Sequence, residues 1–184
     1  MRVPLVGLAG LMVLAGCGSS EHAAPLRGRD VSQNRTCEAT KARGFRTCMG
    51  ATIPLSPTIE RWTGSSWKVV TGPLPHPDPD ASWGEVSLSP DGRTLLADWS
   101  YPCDSAAAVF VPAAGGKPRL VTGERDWRKA PQARSLGWTR DGRARVVLYT
   151  AWRGHRITPL HPQRLLFDPN APAGDAHPVP LRGC

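Results

Sequence analysis

Val86-Ser87-Leu88-Ser89-Pro90-Asp91-Gly92-Arg93-Thr94-Leu95-Leu96-Ala97-Asp98-Trp99 holds an apolar alternation, an Asp-Gly turn and a second apolar run. Glycine tolerates a positive φ and aspartate caps a turn through its own carboxylate, so this stretch is expected to fold as a β-hairpin. The pattern returns in Leu136-Gly137-Trp138-Thr139-Arg140-Asp141-Gly142-Arg143-Ala144-Arg145-Val146-Val147-Leu148, with the two Asp-Gly-Arg triplets offset by 50 residues. A second hairpin follows the first: Ala108 to Val111, a Gly115-Gly116 turn, then Arg119 to Gly123. An earlier copy of that second hairpin runs from Thr58 to Gly72, and its closing Val70-Thr71-Gly72 stands 51 residues before Val121-Thr122-Gly123. A degenerate copy spans Arg164 to Asn170 and His177 to Pro180. Four short strands in each period of about 50 residues is the pattern of a β-propeller blade.

Composition agrees. With 19 Gly and 19 Pro in 184 residues, a helical bundle or a coiled coil is excluded. A hydrophobic content of 40% and seven Trp exclude low-complexity disorder. The expected fold class is all-β, built of antiparallel four-stranded blades as a partial, about three-bladed, propeller-like body; a β-sandwich is the alternative.

Ser89-Pro90-Asp91-Gly92-Arg93, followed by Gly115-Gly116-Lys117-Pro118-Arg119 before Leu120-Val121-Thr122-Gly123, resembles the TolB-type β-propeller repeat, in which the Ser-Pro-Asp-Gly and Gly-Gly-x-Pro turns recur once per blade. Residues 86–123 follow that pattern closely. Residues 136–180 carry Thr139-Arg140 in place of Ser-Pro and a longer second turn, and residues 37–72 lack the Asp-Gly. A closed propeller needs about four to eight blades, so three repeats imply an open arc, a homodimeric ring or a sandwich. The prolines at 73, 75, 77 and 79 suit edge protection, because proline donates nothing to an incoming strand.

The N-terminus sets the expected compartment. Arg2, the apolar run Val3 to Leu14 and the small residues Ala15-Gly16 form a secretory signal, too short to span a bilayer. Its exit, Leu14-Ala15-Gly16-Cys17, resembles the bacterial lipobox, which implies cleavage before Cys17 and lipid on its thiol. Two or three acyl chains on one residue anchor a protein firmly, at about 0.8 kcal/mol for each buried methylene. The expected domains are a signal peptide at 1–16, the lipidated Cys17 with a tether through residue 36, and the β body from 37 to 184. The expected location is the extracytoplasmic face of the cell membrane.

Beyond Cys17 the chain holds Cys37, Cys48, Cys103 and Cys184, an even number in an oxidising setting. Three connectivities are open; Cys37–Cys48 and Cys103–Cys184 are expected, the first being close in sequence and the second fastening the C-terminus. Zinc is not expected, since no Cys-x-x-Cys pair occurs. Loss of Arg2 with the leader leaves one fewer than 23 Lys and Arg against 15 Asp and Glu, a basic surface. Export removes nucleic acid as a partner, and basic and aromatic residues do not interleave as a binding module requires. Anionic head groups or wall polymers remain for that charge.

Catalytic signatures are missing: there is no Gly-x-Ser-x-Gly, His-Glu-x-x-His or Gly-x-x-x-x-Gly-Lys. His76-Pro77-Asp78-Pro79-Asp80 is polar, but its prolines hold the backbone extended, and an exposed loop is expected there rather than a metal site. Trp152, Arg153, His155 and Arg156 occupy the loop between the two hairpins of the last repeat and are the candidate binding residues. Trp62, Trp67, Trp83, Trp99 and Trp138 are expected in the core. The functional expectation is a non-enzymatic lipoprotein without cofactors that binds a protein or a cell-envelope component. An envelope enzyme or solute-binding lipoprotein is the alternative.

Overall fold

The Ser89–Thr94 turn shows how the sequence makes its hairpins. Ser89 Oγ donates to Asp91 Oδ1 at 2.6 Å and accepts from the Thr94 amide at 2.9 Å, while Asp91 Oδ1 accepts from the Arg93 amide at 3.1 Å. Gly92 closes the turn at a φ of 73°. At the matching turn Thr139 takes the role of Ser89, its Oγ1 donating to the Arg143 carbonyl and accepting from the Arg143 amide, with Gly142 at a φ of 83°. A hydroxyl at the first position serves both turns, so replacement of Ser-Pro by Thr-Arg is tolerated.

The computed structural model describes residues 27–30, 35–50, 57–72, 74, 81–100, 106–125, 130–153, 156–172 and 179–180. Among them there is no α-helix, and thirteen strands form three antiparallel sheets, each paired in chain order. The first contains β1 (Arg27–Asp30), β2 (Arg35–Ala39), β3 (Phe45–Gly50), β4 (Thr58–Trp62) and β5 (Trp67–Thr71). The second contains β6 (Ser82–Leu88), β7 (Thr94–Ser100), β8 (Ala106–Pro112) and β9 (Arg119–Leu120). The third contains β10 (Ala133–Trp138), β11 (Ala144–Arg153), β12 (Arg156–Phe167) and β13 (Val179–Pro180). The edge strands β9 and β13 have two residues each, which leaves little backbone for another chain to pair with.

The second sheet is buried on both faces. Leu95, Ala97 and Trp99 of β7 join Val109 and Val111 of β8 in one apolar cluster with Phe45, Ile59 and Val70 of the first sheet. The alternate residues Leu96, Ala108 and Phe110 pack against Ala144, Val146, Leu165 and Phe167 of the third sheet. Period-2 alternation therefore serves two interfaces, and both strands read as almost continuously apolar. Indole N–H groups tie the sheets further: Trp83 Nε1 donates to the Gly72 carbonyl at 3.3 Å and Trp138 Nε1 to the Ser87 carbonyl at 3.2 Å. Arg119 of β9 donates to the Pro169 carbonyl after β12.

Three expectations change. The first sheet begins at Arg27 and includes Arg35 and Thr36, residues expected in the tether, because β1 pairs with β2 from Arg27 opposite Glu38 to Asp30 opposite Arg35. Trp62 and Trp67 are not core residues but a half-buried cross-strand pair on the face of the first sheet turned away from the second, with ring centroids 5.3 Å apart. Pairing of β11 with β12 runs on to Arg153 opposite Arg156, so Trp152, Arg153 and Arg156 are strand residues and only 154–155 connect them. Cys17, Cys103, Cys184, His155, residues 76–80 and the prolines at 73, 75, 77 and 79 lie outside the described residues.

Candidate functional site

Where the three sheets meet, a cleft of about 540 Å³ opens between β2, β6, β7 and β10. Glu38 and Thr47 line it from the first sheet, Trp83, Gly84, Glu85, Asp98 and Ser100 from the second, and Arg134 from the third. Thr40 and Lys41 close one side. A break in the β6–β7 register between Trp83 and Val86 sets Gly84 and Glu85 opposite Asp98. Bulges of this kind re-aim side chains beside functional sites. A Cβ at Gly84 would stand 2.8 Å from Ser100 Oγ, so a larger residue there would require the Ser100 hydroxyl to turn aside.

Asp98 is the most perturbed group of the cleft. Its residue is 5% exposed, and burial pushes its carboxyl up to about 6. Hydrogen bonds from Ser135 and the charge of Arg134 oppose that shift, while Glu85 adds to it. The Ser135 amide donates to Asp98 Oδ1 at 2.8 Å, so the group also fastens β10 to β7. Lys41 Nζ meets Glu85 Oε2 at 2.8 Å, an exposed pair of small energetic weight. With three carboxylates, two cations, hydroxyls and one indole, the cleft suits a polar ligand that carries both charges.

A second polar cluster lies on the opposite face of the first sheet. Glu60, 3% exposed, accepts from Arg35 Nη1 at 2.6 Å and from Arg46 Nε at 2.9 Å, and Arg35 also donates to Thr58. Arg46 stacks over Trp67 at 4.3 Å. Cys37 and Cys48 face one another across β2 and β3 and are joined by a disulfide, as their spacing led one to expect. Their sulfurs and a Glu60 oxygen lie within 4.8 Å of one another, yet both sulfurs are consumed by the disulfide and Glu60 is held by two guanidiniums, so the trio does not fit a cation.

No family model, curated protein or solved structure matches this chain.

Of the candidate binding residues, Trp152 and Arg153 end β11 and Arg156 opens β12, a ribbon that extends past β10, whose pairing with β11 stops at Leu148. Sequence reasoning missed Asp98, Glu38, Glu60 and Arg134. One signal was present: Asp98 is the sole charged residue of Thr94–Ser100, a strand otherwise apolar or small. An acid in such a run needs a partner from another element, here the Ser135 amide.

Proposed function

We propose that this chain is a membrane-anchored, non-enzymatic binding module on the extracytoplasmic face, tethered through lipid on Cys17, with a body that is an open arc of TolB-like β-propeller blades. The observation that carries the blade reading is the order of the three sheets. Each is a meander paired in chain order, the middle one packs a neighbour on each face, and the Asp-Gly-Arg turns stand at matching places in the second and third. A two-layer sandwich has no sheet covered on both faces by other sheets. Blades that splay about a common axis place their first strands around a central cleft, and β6 and β10 border one here.

Fractionation tests the anchor. The wild-type chain is expected in the membrane fraction with labelled palmitate attached, and Cys17→Ala is expected unlabelled and released from the membrane. Retention of Cys17→Ala in the membrane places the anchor elsewhere. A solution structure with the second sheet open on one face would replace the arc by a sandwich. The mixed charge of the cleft favours a second reading, a solute-binding lipoprotein. Under it, Glu38→Gln abolishes a thermal shift produced by small zwitterions such as amino acids; a shift that survives the change sets the cleft aside.

A further inference from the structure

The three sheets end differently. Strands β9 and β13 close the second and third with two residues each, whereas β5 closes the first with five, Trp67–Thr71. On the opposite sides, the β6 edge already gives carbonyls to Ala42 and Trp138, and the β10 edge gives the Ser135 amide to Asp98. Gly115 in the β8–β9 turn lies so near the Val70 carbonyl that a Cβ on it would stand 3.6 Å away, which closes one end of β5. The half-buried Trp67 and the exposed Lys68 and Val69 remain, and Val69, at 58%, is the most exposed large hydrophobic among the described residues.

Hydrogen bonding decides which groups that stretch presents. The Thr63 amide donates to the Ser66 carbonyl at 2.9 Å, and the Trp62 amide turns the other way, to the Gly44 carbonyl at 2.8 Å. Rungs of an antiparallel pair alternate, so Arg61 and Lys68 bond across the hairpin while the pairs Trp62–Trp67 and Glu60–Val69 do not. The N–H and C=O of Trp67 and of Val69 therefore point past β5, out of the sheet, and no described residue bonds them. Four such groups, two residues apart, are what an added strand pairs with. Side chains give the site a sign. Arg61 and Lys68 stand directly opposite one another, both exposed, and neither has an acid partner among the described residues. Like charges so placed destabilise a sheet unless an acid joins them. Trp62, Trp67 and Val69 form an apolar strip on the other face.

We propose that the β5 edge takes an acidic, extended segment of a partner protein as an added antiparallel strand. Opposite Val69, Lys68 and Trp67 the segment carries an apolar, an acidic and an apolar residue in turn. Alternation then sets the acid beside Lys68 and Arg61 and the apolar pair beside Val69, Trp67 and Trp62. A second copy of this chain is a poorer occupant. The register that uses all four backbone groups sets Trp67 against Val69 of the copy, and so brings Lys68 opposite Lys68. The proposal names a partner class for the binding module and rests on that reading, but it needs neither the lipid on Cys17 nor the cleft.

Fluorescence anisotropy of a labelled Ser-Glu-Val-Glu-Val-Glu-Ser peptide, titrated with the full chain in detergent, tests it. The peptide is expected to bind, and one of the same composition with its three glutamates adjacent is expected to bind about ten-fold more weakly. N-methylation of both valines removes the amides aimed at β5 and is expected to abolish binding, whereas N-methylation of the central glutamate, whose amide points away, leaves it. Lys68→Glu is expected to weaken binding about ten-fold, and the same charge reversal in the β10–β11 turn, Arg140→Glu, to change it less than about two-fold. Val69→Pro deletes an N–H that the sheet itself does not use and is expected to abolish binding at an unchanged melting temperature. Should that variant fail to fold, Lys68→Glu and the methylated peptides still decide. No anisotropy change at about 100 μM chain overturns the proposal. So does binding that survives methylation of both valines, or an equal loss in Arg140→Glu, either of which leaves plain charge attraction as the cause. Self-association that Val69→Pro abolishes, without peptide binding, overturns it in favour of a second copy. Failure to bind peptide by a chain that is still lipid-labelled and membrane-bound sinks the edge and spares the anchor.

Discussion

The second and third sheets carry the same Asp-Gly-Arg turn on equivalent strands, yet they end in opposite environments. In the second, β7 and β8 are buried from Leu95 to Trp99 and from Ala106 to Val111, because a sheet lies on each side. In the third, one face packs on the second sheet, and the alternate positions mix the half-buried Arg145 and exposed Tyr149 with the buried Val147 and Leu166. The local code is shared and the stacking is not. A sheet's turns follow from its own residues, whereas its outer chemistry depends on what stands beside it.

Truncation in the middle sheet should expose this contrast most strongly. Phe110 is 2% exposed between the second and third sheets, and Phe110→Ala is expected to cost about 3 to 5 kcal/mol in denaturant unfolding. Leu136→Ala, at the exposed β10 bulge of the third sheet, is expected to stay within about 0.5 kcal/mol. Equal costs would mean that Leu136 is covered as fully as Phe110.

Glu60 tests whether the outer face of the first sheet is held by ions where the second is held by hydrocarbon. Glu60→Gln leaves two largely buried guanidiniums with a neutral partner and is expected to cost about 3 kcal/mol at pH 7. Removing Arg46 as well should recover part of that loss, since a double change deletes the uncompensated charge.

Asp98 joins the second and third sheets, and its effect depends on pH. Its carboxyl is raised from 3.8 to about 6, so the folded state binds the proton more tightly than the unfolded one. Stability from this group is therefore fully present below about pH 4 and lost as pH rises toward and through 6, a span worth about 3 kcal/mol. Asp98→Asn retains an acceptor for the Ser135 amide and removes the titration. The variant is expected to match wild type near pH 4 and to exceed it at pH 7.5, with a flatter dependence of melting temperature on pH between the two. A wild-type curve already flat between pH 4 and 6.5 would contradict the burial of this carboxyl.

The smallest effects belong to the turns. Thr139→Ser preserves the hydroxyl that bonds the Arg143 amide and carbonyl, and its unfolding midpoint is expected to stay within about 0.5 kcal/mol of wild type. Thr139→Val, lacking the hydroxyl, is expected to cost about 1 kcal/mol. If the two changes cost the same, the hydroxyl is not what makes Thr139 equivalent to Ser89.

Much of the fold was legible because its signals are local. Asp91-Gly92 and Asp141-Gly142 announce turns through a carboxylate and a positive φ, and the Cys37–Cys48 bridge follows from two strands joined by a short loop. The cleft was not legible, because it depends on a bulge at Gly84 and Glu85 and on the approach of Ser135 from a strand 37 residues away from Asp98. The extent of the first sheet was missed for a related reason: Arg27–Asp30 has no apolar alternation and becomes a strand by pairing with β2. Trp62 and Trp67 went astray because apolar character does not say which face of a sheet will be covered.

By itself the amino-acid sequence determined the all-β class, the period near 50 and the places of the hairpin turns, since backbone preference and side-chain capping act within a few residues. Only the tertiary structure decided which sheet is covered twice and where Asp98 is buried. Those outcomes arise from the packing of one sheet on another, which joins residues that the linear order keeps far apart.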